Sequence, residues 1–249
     1  MGALNTRVRG LLEVLAAHEP RLGGSASAAM RTIRYGFAPN WTGEPFSVAG
    51  GIVAALGRVA HQGIAVAWVP RPEVLADLMR SDPSDLRTRV LAHEAEILDD
   101  CCSAAAESQP GPLAELASRV SEACAAARDG HHSAAQALAS NILDTTLREA
   151  CPFGEWQAYR AVREAIEDLR RREEWIHLRR GLAFAPLLLA VGTYQRRSDP
   201  VPAHYNRHAT AHAVGATQYT RSNAVIAIMA VASALRQCHE DRRPSPAYQ

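Results

Sequence analysis

The stretch "YTRSNAVIAIMAVASALRQ", residues 219–237, is apolar nearly all round, and it decides the class of fold. A surface helix carries one apolar stripe, whereas a helix that is apolar on every side belongs inside a protein. The rest of the chain agrees. Alanine-rich segments with apolar residues three and four apart dominate, and alternating β-branched runs are nearly absent, so the sequence predicts an all-α protein. Helices are expected over 6–18, 24–35, 47–61, 71–80, 84–107, 112–128, 132–149, 154–172, 175–195, 202–214 and 221–239. Only "GIAVAWV" (63–69) has the composition of a strand. "SDPSD" (81–85) and "SQPGP" (108–112) punctuate the pattern, and the second marks the main division. Residues 1–110 then form a helical region of unassigned role, residues 111–240 a helical bundle, and residues 241–249 a tail with no apolar periodicity.

Composition narrows the function. The 249 residues carry a formal charge of +1, and all 27 basic residues are arginine, so a broadly cationic nucleic-acid coat is excluded while a focused basic groove is not. Arg170, Arg171, Arg172, Arg179, Arg180, Arg196 and Arg197 are the candidates for such a groove. Within the same region, Glu167 with Arg171 and Asp168 with Arg172 read as i,i+4 pairs of a solvated helix. Cys101, Cys102, Cys124, Cys151 and Cys238 show no metal-ligand spacing and read as reduced, mostly buried thiols of a cytoplasmic protein. "GLAFAPLLLAVGTY" (181–194) is too short for a membrane span and contains Pro186, so it reads as a buried helix. Trp41, in the turn-rich "YGFAPNWTGEP" (35–45), is expected to anchor in a neighbouring cleft. His93, Glu94, Glu96, Asp99 and Asp100 read as the wet face of a long helix, since the paired Glu-x-x-His of a di-metal bundle does not occur. Dinucleotide-binding, P-loop and nucleophile-elbow motifs are absent.

The chemistry concentrates in "VPAHYNRHATAHAVG" (201–215), which Pro202 and Gly215 frame as a helix of about thirteen residues. On such a helix His204, His208 and His212 form one spiralling stripe, a candidate metal site without a further ligand at helpful spacing. A second reading takes Arg207 with His212. An imidazole moves protons near neutral pH, and a guanidinium neutralises phosphodiester oxygens as charge builds. Five residues turn the two about 140° apart on one helix, so a site made from them calls for a second surface, such as a two-fold partner.

The spacing Arg207-x4-His212, with His208 directly after the arginine, resembles the HEPN superfamily of small α-helical bundles. The match extends to the placement of the motif just before the apolar last helix, and to "GHHSAAQALASNILDTTLREA" (130–150), which is similar to the family's early helix. There Asp144 takes the place of the acidic residue that faces the motif, with Asn141 one turn earlier. The resemblance covers roughly residues 112–240 and implies an antiparallel bundle, a homodimer and RNA cleavage without metal or other cofactor. It implies Arg207 and His212 as catalytic residues, with His208, Asp144, Asn141 and Asn206 in support. Relatives commonly show His-Gly at the end of the motif, where this chain has His212-Ala213. Such proteins act in toxin, phage-defence and RNA-processing systems, and others keep the fold without cleavage. The alternative is therefore a non-catalytic all-α dimeric scaffold or regulator, whose N-terminal region binds a protein partner.

Overall fold

The structure is a computed structural model that describes residues 37–42, 52–109, 111–150 and 175–242. Among these residues it is helical, with no strand: α1 (Ile52–Ala60), α2 (Pro72–Arg80), α3 (Leu86–Ala92), α4 (Glu94–Ala106), α5 (Ala114–Arg128), α6 (His132–Thr145) running into a π-helical turn (Thr146–Ala150), α7 (Trp175–Phe184), α8 (Leu187–Ala190), α9 (Arg207–His212) and α10 (Arg221–Arg242). The helices expected over 6–18, 24–35 and 154–172 lie outside the described residues, as do Cys151 and the arginines at 170–172. No helix among the described residues is long and apolar enough to cross a membrane.

α10 is the axis of the bundle. Every residue from Ser222 to Cys238 is buried, because α3, α4, α5, α6, the π turn and α7 all pack around it. Its few polar side chains are each engaged. Ser233 Oγ donates to the Ala67 carbonyl (2.9 Å), Gln237 Oε1 accepts from Trp68 Nε1 (3.0 Å), and Asn223 Nδ2 donates to the Gln218 carbonyl (2.8 Å). Buried polar groups that are paired in this way orient the helix about its own axis as well as burying it. A continuous apolar cluster runs from Ala38 to Cys238 and draws on both sides of the break at 108–112. α10 itself continues through Arg242, into the stretch expected to be tail.

Local endings follow residue chemistry. α5 stops at Gly130, whose φ of +81° lets its N–H reach the Ala127 carbonyl (3.0 Å) while the His131 N–H reaches that of Ala126 (2.8 Å). This double closure folds α6 back onto α5. The helix expected over 175–195 is interrupted at Pro186, which has no N–H to continue α7, and ends after Ala190. The helix expected over 84–107 breaks at His93, which turns its Nε2 to Asp77 Oδ2 (3.2 Å) on α2.

The acidic residues after that break are not one wet face. Glu94 is 8% exposed and receives Arg221 Nε (2.5 Å) from α10 and His132 Nε2 (3.2 Å) from α6. Asp100 grips Arg71 at the start of α2, accepting its backbone N–H (2.7 Å) and its guanidinium (2.7 Å). Asp99 remains exposed and holds Arg128 of α5 (2.5 Å). Glu94, Asp99 and Asp100 thus tie α4 to different neighbours.

The strand-like "GIAVAWV" forms no regular element and joins no sheet. Buried backbone groups must still be paired, and side chains do the pairing. Asn40 Nδ2 donates to the Val66 (3.1 Å) and Pro70 (2.9 Å) carbonyls, and its Oδ1 accepts from the Trp68 N–H (2.9 Å), holding Trp68 at φ +70°. Trp41 is buried against the same segment, with Nε1 donating to the Val66 carbonyl (2.6 Å).

Candidate functional site

The helix expected over 202–214 is only six residues long, Arg207–His212. Asn206 sets its start. Its backbone is extended (φ −142°, ψ 122°), and its Oδ1 accepts from the Ala209 N–H (2.8 Å), closing the first turn as an N-cap. The same side chain donates through Nδ2 to the carbonyls of Leu189 (3.2 Å) and Gly192 (2.8 Å), pinning α9 to the end of α8. A helix this short has almost no stability of its own.

Neutral side chains supply the rest. Buried Gln218 accepts the Asn206 N–H at Oε1 (3.0 Å) and donates from Nε2 to the carbonyls of Pro202 (2.9 Å) and His204 (3.1 Å). Gln136 on α6 donates from Nε2 to Thr210 Oγ1 (2.9 Å) and to the Gln218 carbonyl (3.1 Å). Tyr205 Oη lies 3.1 Å from Ser140 Oγ, and Tyr219 Oη donates to the Thr210 carbonyl (2.8 Å). Burial pushes the Tyr205 phenol up to about 12, so it stays a neutral strut.

On this mount, Arg207 reaches α6 and forms an ion pair with Asp144. The pair is partly buried, with the two side chains 21% and 30% exposed. Asp144 also accepts Arg148 Nε (3.0 Å), so the carboxylate is held from its own helix as well. Arg207 Nη2 lies 3.3 Å from His208 Nε2, and its Nε is buried with no hydrogen-bond partner. His212 is exposed at the other end of α9, about 7.5 Å further along the axis and about 140° around it. Val214 and Gly215, two and three residues further on, are exposed too, Val214 at 87%.

The structure therefore brings Arg207, Asp144 and His208 together and leaves His212 facing outward on the same short helix. Asn206 positions the helix through its cap. Asn141 is exposed, and its side chain makes no hydrogen bond among the described contacts; its carbonyl accepts Thr145 Oγ1 (3.1 Å). The stripe of three histidines is not formed, because His204 precedes the helix and only His208 and His212 lie on it. Among the described residues no group of three or more His, Cys, Asp or Glu is placed to hold a metal ion. Among the candidate groove arginines, Arg179 is buried with its guanidinium over the Trp68 ring (4.8 Å), and Arg180 pairs with Asp241 (3.4 Å). Arg196 and Arg197 are exposed in the loop before α9. Burial raises the Cys101 and Cys124 thiols well above their ordinary range, which leaves both without nucleophilic character at neutral pH.

The supporting network of Gln136, Gln218, Tyr205, Ser140 and Thr210 has no short-range signature. The cap did have one: an asparagine three residues before the first helical N–H it accepts, in "NRHA". No family model, curated protein or solved structure matches the chain.

Proposed function

We propose that the protein is a HEPN-like, metal-independent endoribonuclease that works as a homodimer. The observation that carries this reading is the Arg207–Asp144 ion pair, which holds one guanidinium in a fixed pose while His212 stays exposed on the same six-residue helix. The proposed reaction is attack of a ribose 2′-hydroxyl on the adjacent phosphorus. An imidazole at His212 takes the 2′-proton or delivers a proton to the departing 5′-oxygen, and Arg207 offsets the negative charge that builds on the phosphorane-like transition state. The P–O5′ bond breaks as the P–O2′ bond forms, leaving a 2′,3′-cyclic phosphate and a 5′-hydroxyl. Asp144 and His208 act as positioning residues that keep the guanidinium plane aimed.

The two catalytic groups diverge within one chain, so a two-fold partner completes the site. A cytoplasmic toxin or phage-defence role goes with this reading, with RNA as the ligand and the region N-terminal to residue 110 available to a protein partner. The test is incubation of the purified protein with mixed RNAs in EDTA, beside Arg207→Ala and His212→Ala. Wild type is expected to produce cyclic-phosphate ends, with each variant slower by about 10²–10⁴-fold. Equal background cleavage by all three would leave the scaffold reading in its place, and activity lost on chelation would require a metal.

A further inference from the structure

Asp144 holds two guanidiniums. Arg207 pairs with its Oδ1 from α9, and Arg148 Nε donates to its Oδ2 (3.0 Å) from the π turn that follows α6. Exposed pairs elsewhere match one to one: Arg119 with Glu122 (2.9 Å) on α5, and Arg128 with Asp99 (2.5 Å) between α5 and α4. At Asp144 two cations meet one anion. A third guanidinium reaches the same turn, where Arg242 Nη2 donates to the Glu149 carbonyl (2.9 Å) from the end of α10. With the exposed Glu149 carboxylate counted, three arginines from three elements stand around two acids. A chain whose formal charge is only +1 meets a polyanion through a local excess of this kind.

The two arginines on Asp144 are not equally open. Arg207 is 21% exposed; its Nη1 meets Asp144, its Nη2 lies 3.3 Å from His208 Nε2, and its Nε is buried. Arg148 is 54% exposed and touches Asp144 through Nε, the inner nitrogen of its guanidinium. A polyanion arriving at this face therefore reaches Arg148 more readily than Arg207. Because each guanidinium bonds one oxygen of the same carboxylate, the two cations are held close together, and a further anion is needed to offset their repulsion. A phosphodiester supplies one negative charge and oxygens that suit guanidinium donors.

We propose that Arg148 is an RNA-binding residue, which holds a backbone phosphate of a single-stranded RNA beside the one met by Arg207. The choice of RNA as the polyanion rests on the nuclease reading above. Asp144 then acts twice, since it fixes the pose of Arg207 and sets the spacing between the two guanidiniums. In the sequence, Asp144 and Arg148 have the i,i+4 spacing of an ordinary pair on a solvated helix. Arg207, arriving from 63 positions away, turns that balanced pair into a cluster with charge to spare.

The test is the salt dependence of RNA binding. Anisotropy of a fluorescent single-stranded oligoribonucleotide is measured on His212→Ala protein, which is expected to bind without cleaving, alone and with Arg148→Gln, Arg148→Lys or Arg119→Gln. Loss of one phosphate contact to a single strand lowers the slope of log K against log salt by about 0.7, a weakening of about eightfold at 50 mM and about threefold at 200 mM. Arg148→Gln is expected to show that loss. Arg148→Lys keeps the charge and the slope, and Arg119→Gln, which removes an exposed arginine from α5, leaves both slope and affinity unchanged. Thermal melting of each variant checks that the fold is kept. A slope unchanged by Arg148→Gln overturns the proposal, even where cleavage by Arg148→Gln protein that retains His212 is slower, because Arg148 is then only a prop for Asp144. An equal loss in Arg119→Gln overturns it as well, since the effect is then one of net charge. So does failure of the His212→Ala protein to bind RNA. A reduced slope in Arg148→Gln beside a wild type that cleaves no RNA counts against the nuclease reading and leaves Arg148 as a binding residue.

Discussion

Replacing Asn206 with alanine removes three hydrogen bonds made by one side chain that is only 3% exposed. The bond from the Ala209 N–H is an N-cap, whose loss costs about 1 kcal/mol. The other two go to the carbonyls of Leu189 and Gly192, both on buried residues; the Leu189 carbonyl still accepts the Gly192 N–H (3.3 Å), so stranding falls on the Gly192 carbonyl and costs about 1–2 kcal/mol. The expected loss is therefore about 2–3 kcal/mol, equivalent to a melting shift of about 4–12 °C in a chain of this size. Urea denaturation followed by far-ultraviolet circular dichroism reads the change as a lower midpoint at unchanged slope.

Two further substitutions divide the effect. Asn206→Ser keeps a cap acceptor and loses only the donors, so it is expected to lie about 1 kcal/mol above alanine. Asn206→Asp keeps the cap but sets carboxylate oxygen against two carbonyl oxygens, and should be no more stable than alanine. An alanine variant within about 0.5 kcal/mol of wild type, the range of an ordinary surface change, would refute the idea that this side chain mounts α9. Serine indistinguishable from alanine would refute the cap.

Other consequences follow from the same contacts. Glu94→Gln removes the charge shared by Arg221 and His132; because Arg221 is 59% exposed and regains water, the expected loss in urea stability is about 1–2 kcal/mol, and no change would mean that α4, α6 and α10 are held without it. His204 has a folded pKa below its ordinary 6.5, so the unfolded chain takes up a proton first. Stability should fall as pH drops below 6.5 and level off beneath the folded value, and His204→Gln should flatten that fall; identical pH profiles for the two proteins would contradict the burial of the imidazole. Tyr205, raised to about 12, stays protonated in the fold while the unfolded chain ionises from 10.0, so stability is lost as pH rises through that window. Ultraviolet difference titration against Tyr205→Phe should place its ionisation near 12 rather than 10.0.

These predictions concentrate on contacts that differ in how far they could be read from the chain. α10 was legible because its apolar residues leave no face for water, a property of one continuous stretch. The turn at Gly130 was legible as the gap between the helices expected over 112–128 and 132–149, whereas Pro186 was read inside one continuous helix, although its missing N–H acts on its own backbone just as directly. The carboxylates of α4 were not: their spacing is that of a solvated helix, and what turns Glu94 inward is Arg221, 127 residues away. α9 was overextended because Pro202 and Gly215 frame a longer helix, whereas Gln218 binds the carbonyls of Pro202 and His204 and keeps that segment out of the helix. Arg207 and Asp144 entered through a resemblance between short motifs, and their ion pair spans 63 positions that periodicity does not connect. What neither route reached is the pair of neutral side chains, Gln136 and Gln218, that joins Asn206 in mounting α9. A six-residue helix has too little intrinsic stability to aim a guanidinium, so the pose of Arg207 depends on amides that carry no charge and would touch no substrate. Loss of the cap at Asn206 should therefore lower any Arg207-dependent activity by more than the accompanying loss of folded protein.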